Sequence, residues 1–203
     1  MRRLTIAIDC DDVLLPTAQY IVDDYANLYG FRVDLRNFYS EKPEHWGVAD
    51  NKVAEDRVNR YLESDRFGTA EPFLDAIEAV NRLAEKHKLF MVTARANNLA
   101  SMTYEMIARY FPGCFAGVEL TSHFGEQENR RSKGDVCRQI GANIIIDDNM
   151  HHIIDSIGKS KISGLLFGSY QWNQAEESTL IGGVTRCRTW SEVEKEIERI
   201  ANS

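Results

Sequence analysis

The sequence has no apolar run approaching the roughly 20 residues that a membrane-spanning helix needs, and no repeat, linker or low-complexity tract. Helical membrane proteins and repeat architectures are thereby excluded. Its four cysteines, Cys10, Cys114, Cys137 and Cys187, are far apart and show no paired metal-ligand spacing, so they are expected to be reduced thiols in a cytoplasmic protein. A cysteine-phosphatase loop would need an arginine six positions after its nucleophile, where this chain has Pro16, Leu120, Asn143 and Val193. Positive charge is also short. Against 31 Asp plus Glu stand 24 Lys plus Arg, a formal net charge of -7, which argues against nucleic acid polymers and anionic membranes as partners. Small molecules fit better, and a small phosphate would need a local cation such as a metal ion.

The 203 residues suffice for one α/β unit with a small insertion. Short apolar runs at Leu4 to Ile8, Leu89 to Val92, Val118 to Leu120, Asn143 to Ile146 and Gly164 to Phe167 read as buried strands. Helical spacing recurs at Phe73, Ile77, Val80 and Leu83, and again at Leu99, Met102, Met106 and Tyr110. Ser132 can cap a helix stopping near Gly141, and Ser191 with Glu194 spells a capping box. The expected fold is therefore α/β, a Rossmann-like parallel sheet of about five strands with helices on both faces. The stretch 15–69 breaks this alternation, offering helices near Thr17 to Tyr29 and Asn51 to Glu63 but no strand. It is expected to be a small helical cap inserted into a core of residues 1–14 and 70–203, with its Phe38 to Gly47 connector over the sheet's carboxyl edge.

That edge is where open α/β sheets bind ligands, and the chemistry-bearing residues gather there. The first strand ends Asp9-Cys10-Asp11-Asp12 and the fourth ends Asp147-Asp148. One such group could simply cap a turn. Two acidic groups aimed at one rim repel each other and make sense around a divalent cation. The second strand ends Thr93-Ala94-Arg95, bringing a hydroxyl and backbone N–H groups suited to phosphate, although a Thr in this position also serves as a local cap. Lys133 opens the helix before the fourth strand, where it could reach a phosphate or lie on the surface. His151 and His152 follow the second acidic pair, but neighbours on a helix diverge by about 100° and suit a shared site poorly.

In order, Asp9-Cys10-Asp11, Thr93, Lys133 and Asp147-Asp148 resemble the four motifs of the haloacid dehalogenase superfamily. The resemblance implies that Asp9 is a nucleophile toward phosphorus and Asp11 a general acid and base. It further implies that Thr93, Ala94, Arg95 and Lys133 bind the phosphate, with Thr93 and Lys133 also catalytic. Mg2+ would be held by Asp9, the Asp11 carbonyl and Asp148, with Asp147 one layer behind. Members that dehalogenate lack the second aspartate, so Asp11 favours phosphoryl transfer. Asp12 departs from the pattern, since many relatives have glycine there. The insertion resembles the small cap of the 5'-deoxyribonucleotidase group, which implies a nucleoside monophosphate as substrate; in its connector Trp46 above all, with Tyr39, Phe38 and His45, could stack on a base, or could anchor the connector to the core. A phosphatase or phosphomutase for another small phosphate, either a sugar phosphate or a phosphonate, and a non-catalytic nucleotide binder are the alternatives. A receiver domain is excluded by motif order, because there the acidic pair precedes Thr and Lys.

Overall fold

In the computed structural model, which describes residues 2–121, 131–159, 161–174, 180 and 182–203, the apolar runs become parallel strands. They are β1 (Thr5–Ile8), β2 (Lys88–Thr93), β3 (Phe115–Leu120), β4 (Ile144–Asp147), β5 (Ser163–Phe167) and β6 (Val184–Cys187). The sheet has six strands in the order β3-β2-β1-β4-β5-β6, one more than the expected five. The additional strand is the edge strand β6, Val-Thr-Arg-Cys, of which only Cys187 is buried. An edge strand with one face open to solvent does not need the continuous apolar run by which central strands are recognised.

Side chains alternate across a strand. Ile6 and Ile8 therefore enter one core layer with Val80, Leu83, Met106, Val193 and Ile197, from helices α4 (Leu74–Lys86), α5 (Ala100–Tyr110) and α8 (Trp190–Asn202). Ala7 and Ile145 enter the opposite layer with Val136, Cys137 and Ile153, from α6 (Lys133–Ile140) and α7 (Met150–Lys159). Each fully buried aliphatic side chain in these layers contributes about 1.5–3 kcal/mol relative to exposure. Residues 15–69 form α1 (Thr17–Tyr29), α2 (Asn51–Leu62) and α3 (Asp65–Gly68). Their apolar residues, among them Ile21, Tyr25, Val33, Trp46, Tyr61 and Phe67, make a third cluster.

Local signals set the helix ends. The Ser132 hydroxyl accepts from Asp135 N at 3.1 Å, and α6 stops at Gly141 with φ +65°. The capping box expected at Ser191 and Glu194 is displaced by two residues. Thr189 caps α8 by accepting from Glu192 N at 3.3 Å, and the Glu192 carboxylate accepts from Arg188 N at 2.7 Å. Glu194 instead pairs with Arg82 on α4 at 2.8 Å. From β1 the chain builds outward to β3 on one side, then returns beside β1 to lay down β4, β5 and β6 on the other. The crevice at this reversal opens beyond the carboxyl ends of β1 and β4.

Candidate active site

β1 and β4 deliver their acidic ends into that crevice side by side. Carboxylate oxygens of Asp9, Asp147 and Asp148 all lie within 4.8 Å of one another, and all three residues are buried. Lys133 sits between two of them, its ammonium 2.8 Å from Asp9 Oδ2 and 2.7 Å from Asp147 Oδ2, with a side chain only 1% exposed. The lysine is placed by the first turn of α6, which packs tightly on α7. A Cβ at Gly134 would lie 2.7 Å from the Asp155 backbone oxygen, so that approach requires glycine. Lys133 also lines a cavity of about 110 Å³ with Thr121, Arg131, Ser132, His151, His152 and Asp155.

The loop after β1 is fixed by the body of the protein. Tyr170 donates its hydroxyl proton to Asp12 O at 2.7 Å, Trp190 Nε1 donates to Val13 O at 3.1 Å, and Phe73 N donates to Leu14 O at 2.9 Å. Asp12 has φ +57°, the only positive φ at a non-glycine residue among those described, which explains why glycine suits this position in proteins of the resembling pattern. Its carboxylate accepts from Ala18 N at 3.0 Å, capping the first turn of α1.

The electrostatics divide the acidic groups. Burial pushes the Asp9 carboxyl up to about 6, with Lys133 opposing and Asp147 and Asp11 reinforcing the shift. Burial likewise pushes Asp12 up to about 8, reinforced by Asp11 and Asp9. Asp148 is raised well above the usual carboxylate range by burial and by repulsion from Asp147, Asp9 and Asp12. Burial alone would raise Asp147 as well, but Lys133 and His152 hold it low. Crowded, buried carboxylates offering hard oxygen donors fit a divalent cation. Within the cluster Asp147 is the more committed residue. Its Oδ2 takes Lys133, and its Oδ1 takes Asn149 N at 2.9 Å with His152 Nδ1 at 3.4 Å. Among the described residues, Asp148 is engaged through Oδ2, which accepts from Trp172 Nε1 at 2.6 Å.

Two expected roles meet different surroundings. Arg95, expected among the phosphate-binding residues after β2, is 5% exposed. It donates from Nε and Nη2 to the two oxygens of Asp11 at 2.9 and 2.7 Å, and from Nη1 to Thr103 Oγ1 at 3.0 Å. Its guanidinium also lies 5.1 Å from the Phe67 ring centre. Burial would raise the Asp11 carboxyl, but the charge and hydrogen bonds of Arg95, with help from Thr17, outweigh it and hold the group below its ordinary value. Trp46, expected to meet a base, is 6% exposed and packs within the 15–69 segment against Tyr25 and Phe38, at centroid distances of 5.4 and 5.8 Å. An indole satisfies its large apolar surface best in that small core, so its ring is spent on packing. Of the connector's other aromatics, Tyr39 is 55% exposed and lies beside Trp172, a residue after β5 that the sequence reading did not single out. Their rings meet at 5.4 Å. Thr93 is buried at the end of β2, its hydroxyl accepting from Arg95 N at 3.3 Å, and Ala94 beside it is half-buried.

No family model matches the chain. Over 200 residues it is 25% identical to an uncharacterized 32.4 kDa protein from the Gp30-rIII intergenic region of Enterobacteria phage T4, covering 95% of this chain and 69% of the phage protein. In three dimensions it is similar to a haloacid dehalogenase-like family hydrolase from Streptococcus pneumoniae, with a TM-score of 0.68 and 15% identity over 96% of this chain and 98% of the other. A HAD-hydrolase from Bacillus subtilis, YfnB, solved bound to magnesium, matches with a TM-score of 0.65 and 14% identity, covering 100% of both chains. The fold is thus that of haloacid dehalogenase-like hydrolases.

Proposed function

We propose that this protein is a magnesium-dependent phosphomonoester hydrolase that works through an aspartyl-phosphate on Asp9. The observation that carries the reading is the convergence of Asp9, Asp147 and Asp148 on one buried point at the sheet's reversal, with Lys133 between them. In the reaction an Asp9 oxygen attacks phosphorus and the bond to the ester oxygen breaks, the departing alcohol taking a proton from Asp11. Water then gives a proton to Asp11 and attacks the same phosphorus, so that phosphate leaves and Asp9 is regenerated. Magnesium, held by Asp9, the Asp11 carbonyl and Asp148, would supply the positive charge that offsets the carboxylates and the incoming phosphate. Lys133 and Thr93 would face the phosphate oxygens, where charge develops. Asp147, saturated by Lys133 and Asn149, holds Lys133 in place.

Asp11 can deliver a proton only after its two-pronged contact with Arg95 loosens, since that contact keeps it ionised. Substrate entry is the natural trigger, because a phosphate arriving beside Asp11 adds an anion that competes for Arg95. We take residues 15–69 to be the cap over this site. Tyr39 and Trp172 supply flat surface at its edge, which supports a nucleoside monophosphate as substrate, a stacked base being worth about 1–3 kcal/mol. The test is phosphate release from nucleoside monophosphates, sugar phosphates and a phosphonate, with magnesium and with chelator. The proposal expects magnesium-dependent release, fastest from nucleotides. Release from sugar phosphates alone would discard the nucleotide but keep the chemistry, and no release from any phosphate ester would discard both.

A further inference from the structure

Trp172 is absent from the motifs that suggested the chemistry, yet it links Asp148 of the acidic cluster to the connector of the 15–69 segment. Its indole N–H donates to Asp148 Oδ2 at 2.6 Å. One face of the ring stacks flat on Tyr170, with centroids 4.7 Å apart and planes 4° from parallel. Tyr170 in turn is fastened to the β1 loop through its bond to Asp12 O. From the connector of the insertion, Phe38 and Tyr39 approach the same indole at 5.8 and 5.4 Å. The short turn carrying Trp172, Gln171–Asn173, is anchored from behind. Asn173 Nδ2 donates to Asp148 O and to Phe167 O, both at 2.9 Å, and Arg186 Nη2 donates to Asn173 O at 2.6 Å.

A carboxylate with one oxygen held by a fixed donor has its plane set and its other oxygen left for a cation. Groups placed this way orient metal ligands, and losing one typically costs about 10- to 100-fold in metal affinity. An indole also has a single N–H, so any shift of the ring moves that donor away from Asp148 with nothing to replace it. We infer that Trp172 is a positioning residue, which orients Asp148 for magnesium and ties the strength of metal binding to the seating of Phe38 and Tyr39. The inference rests on the magnesium site proposed above. It adds to that site a route by which the insertion, closing over the crevice, tightens the metal.

The test is a magnesium titration of the full chain, followed by the rise in unfolding temperature over that in chelator and by calorimetry, for wild type, Trp172→Phe and a Phe38→Leu/Tyr39→Leu double variant. Phenylalanine keeps an aromatic ring against Tyr170 and removes only the donor. Magnesium affinity should fall about 10- to 100-fold in Trp172→Phe. It should fall by less in the double variant, which leaves the N–H in place but strips its support. A merely structural role would lower the unfolding temperature equally in magnesium and in chelator, leaving the difference unchanged. Wild-type magnesium affinity in both variants overturns the inference while the hydrolase reading stands. If Trp172→Phe does not fold, unchanged affinity in the double variant alone overturns it. Absence of any magnesium response in the wild type overturns the metal site itself, and this inference with it.

Discussion

Asp12→Asn isolates the buried carboxylate that the chemistry does not use. Asparagine tolerates φ near +57°, and its side-chain oxygen can still accept from Ala18 N, so the turn and the cap on α1 survive while the charge is lost. Asp12 rises from 3.8 to about 8 in the folded protein. Between those values the folded state holds a proton that the unfolded state has released, so wild-type stability falls with rising pH, by about 1.4 kcal/mol per pH unit. From pH 5.5 to 7.5, both inside that window, the variant should gain about 3 kcal/mol on the wild type. For a chain of this length that separates the unfolding temperatures by roughly 5–10 °C more at the higher pH. Differential scanning calorimetry of both proteins in chelator measures the gap directly, because titration of the other carboxylates is largely common to the two. An equal gap at both pH values, or a variant less stable than wild type at pH 7.5, would refute the reasoning.

Arg95→Met should cost about 3 kcal/mol near neutral pH, the lower end for breaking a buried pair, because Asp11 keeps 28% side-chain exposure and can draw on solvent. As Asp11 is depressed in the folded state, the pair's contribution is present above its unfolded value and lost as pH falls through the folded one. The penalty in urea denaturation should therefore shrink at pH about 3.5, and a penalty independent of pH would count against the pairing. Lys133→Met removes the ammonium between Asp9 and Asp147. It should lower stability in chelator by about 3–5 kcal/mol and enlarge the stabilisation by magnesium, whose charge is then needed more. An unaltered magnesium response would place the metal away from this lysine.

The sheet and its acidic rim were legible because central parallel strands must be apolar throughout, so that Asp9 and Asp147 stand out as breaks in runs such as Ile144 to Ile146. The helices Thr17–Tyr29 and Lys133–Ile140 were legible from their spacing and, for the latter, from Ser132 and Gly141. Strand β6 was missed because its edge position does not demand an apolar run. The Arg95 to Asp11 pairing spans 84 positions and the Trp172 to Asp148 bond 24, and neither leaves a local pattern. Trp46 illustrates the converse. Its neighbourhood in sequence is aromatic and near the site, but an aromatic cluster spells a small core as readily as a binding surface, and only the third dimension shows the ring enclosed by Tyr25 and Phe38.

The central claim is that phosphate passes through a covalent bond to Asp9. The most direct measurement is mass spectrometry of the β1 peptide after rapid acid quenching of the enzyme during turnover of its best phosphate ester in magnesium. The account predicts one phosphoryl group on Asp9, forming and decaying at rates that match turnover, and absent in Asp9→Asn, which should also release no phosphate. Turnover without that adduct and undiminished by Asp9→Asn, or a phosphoryl group on any other residue, would contradict it.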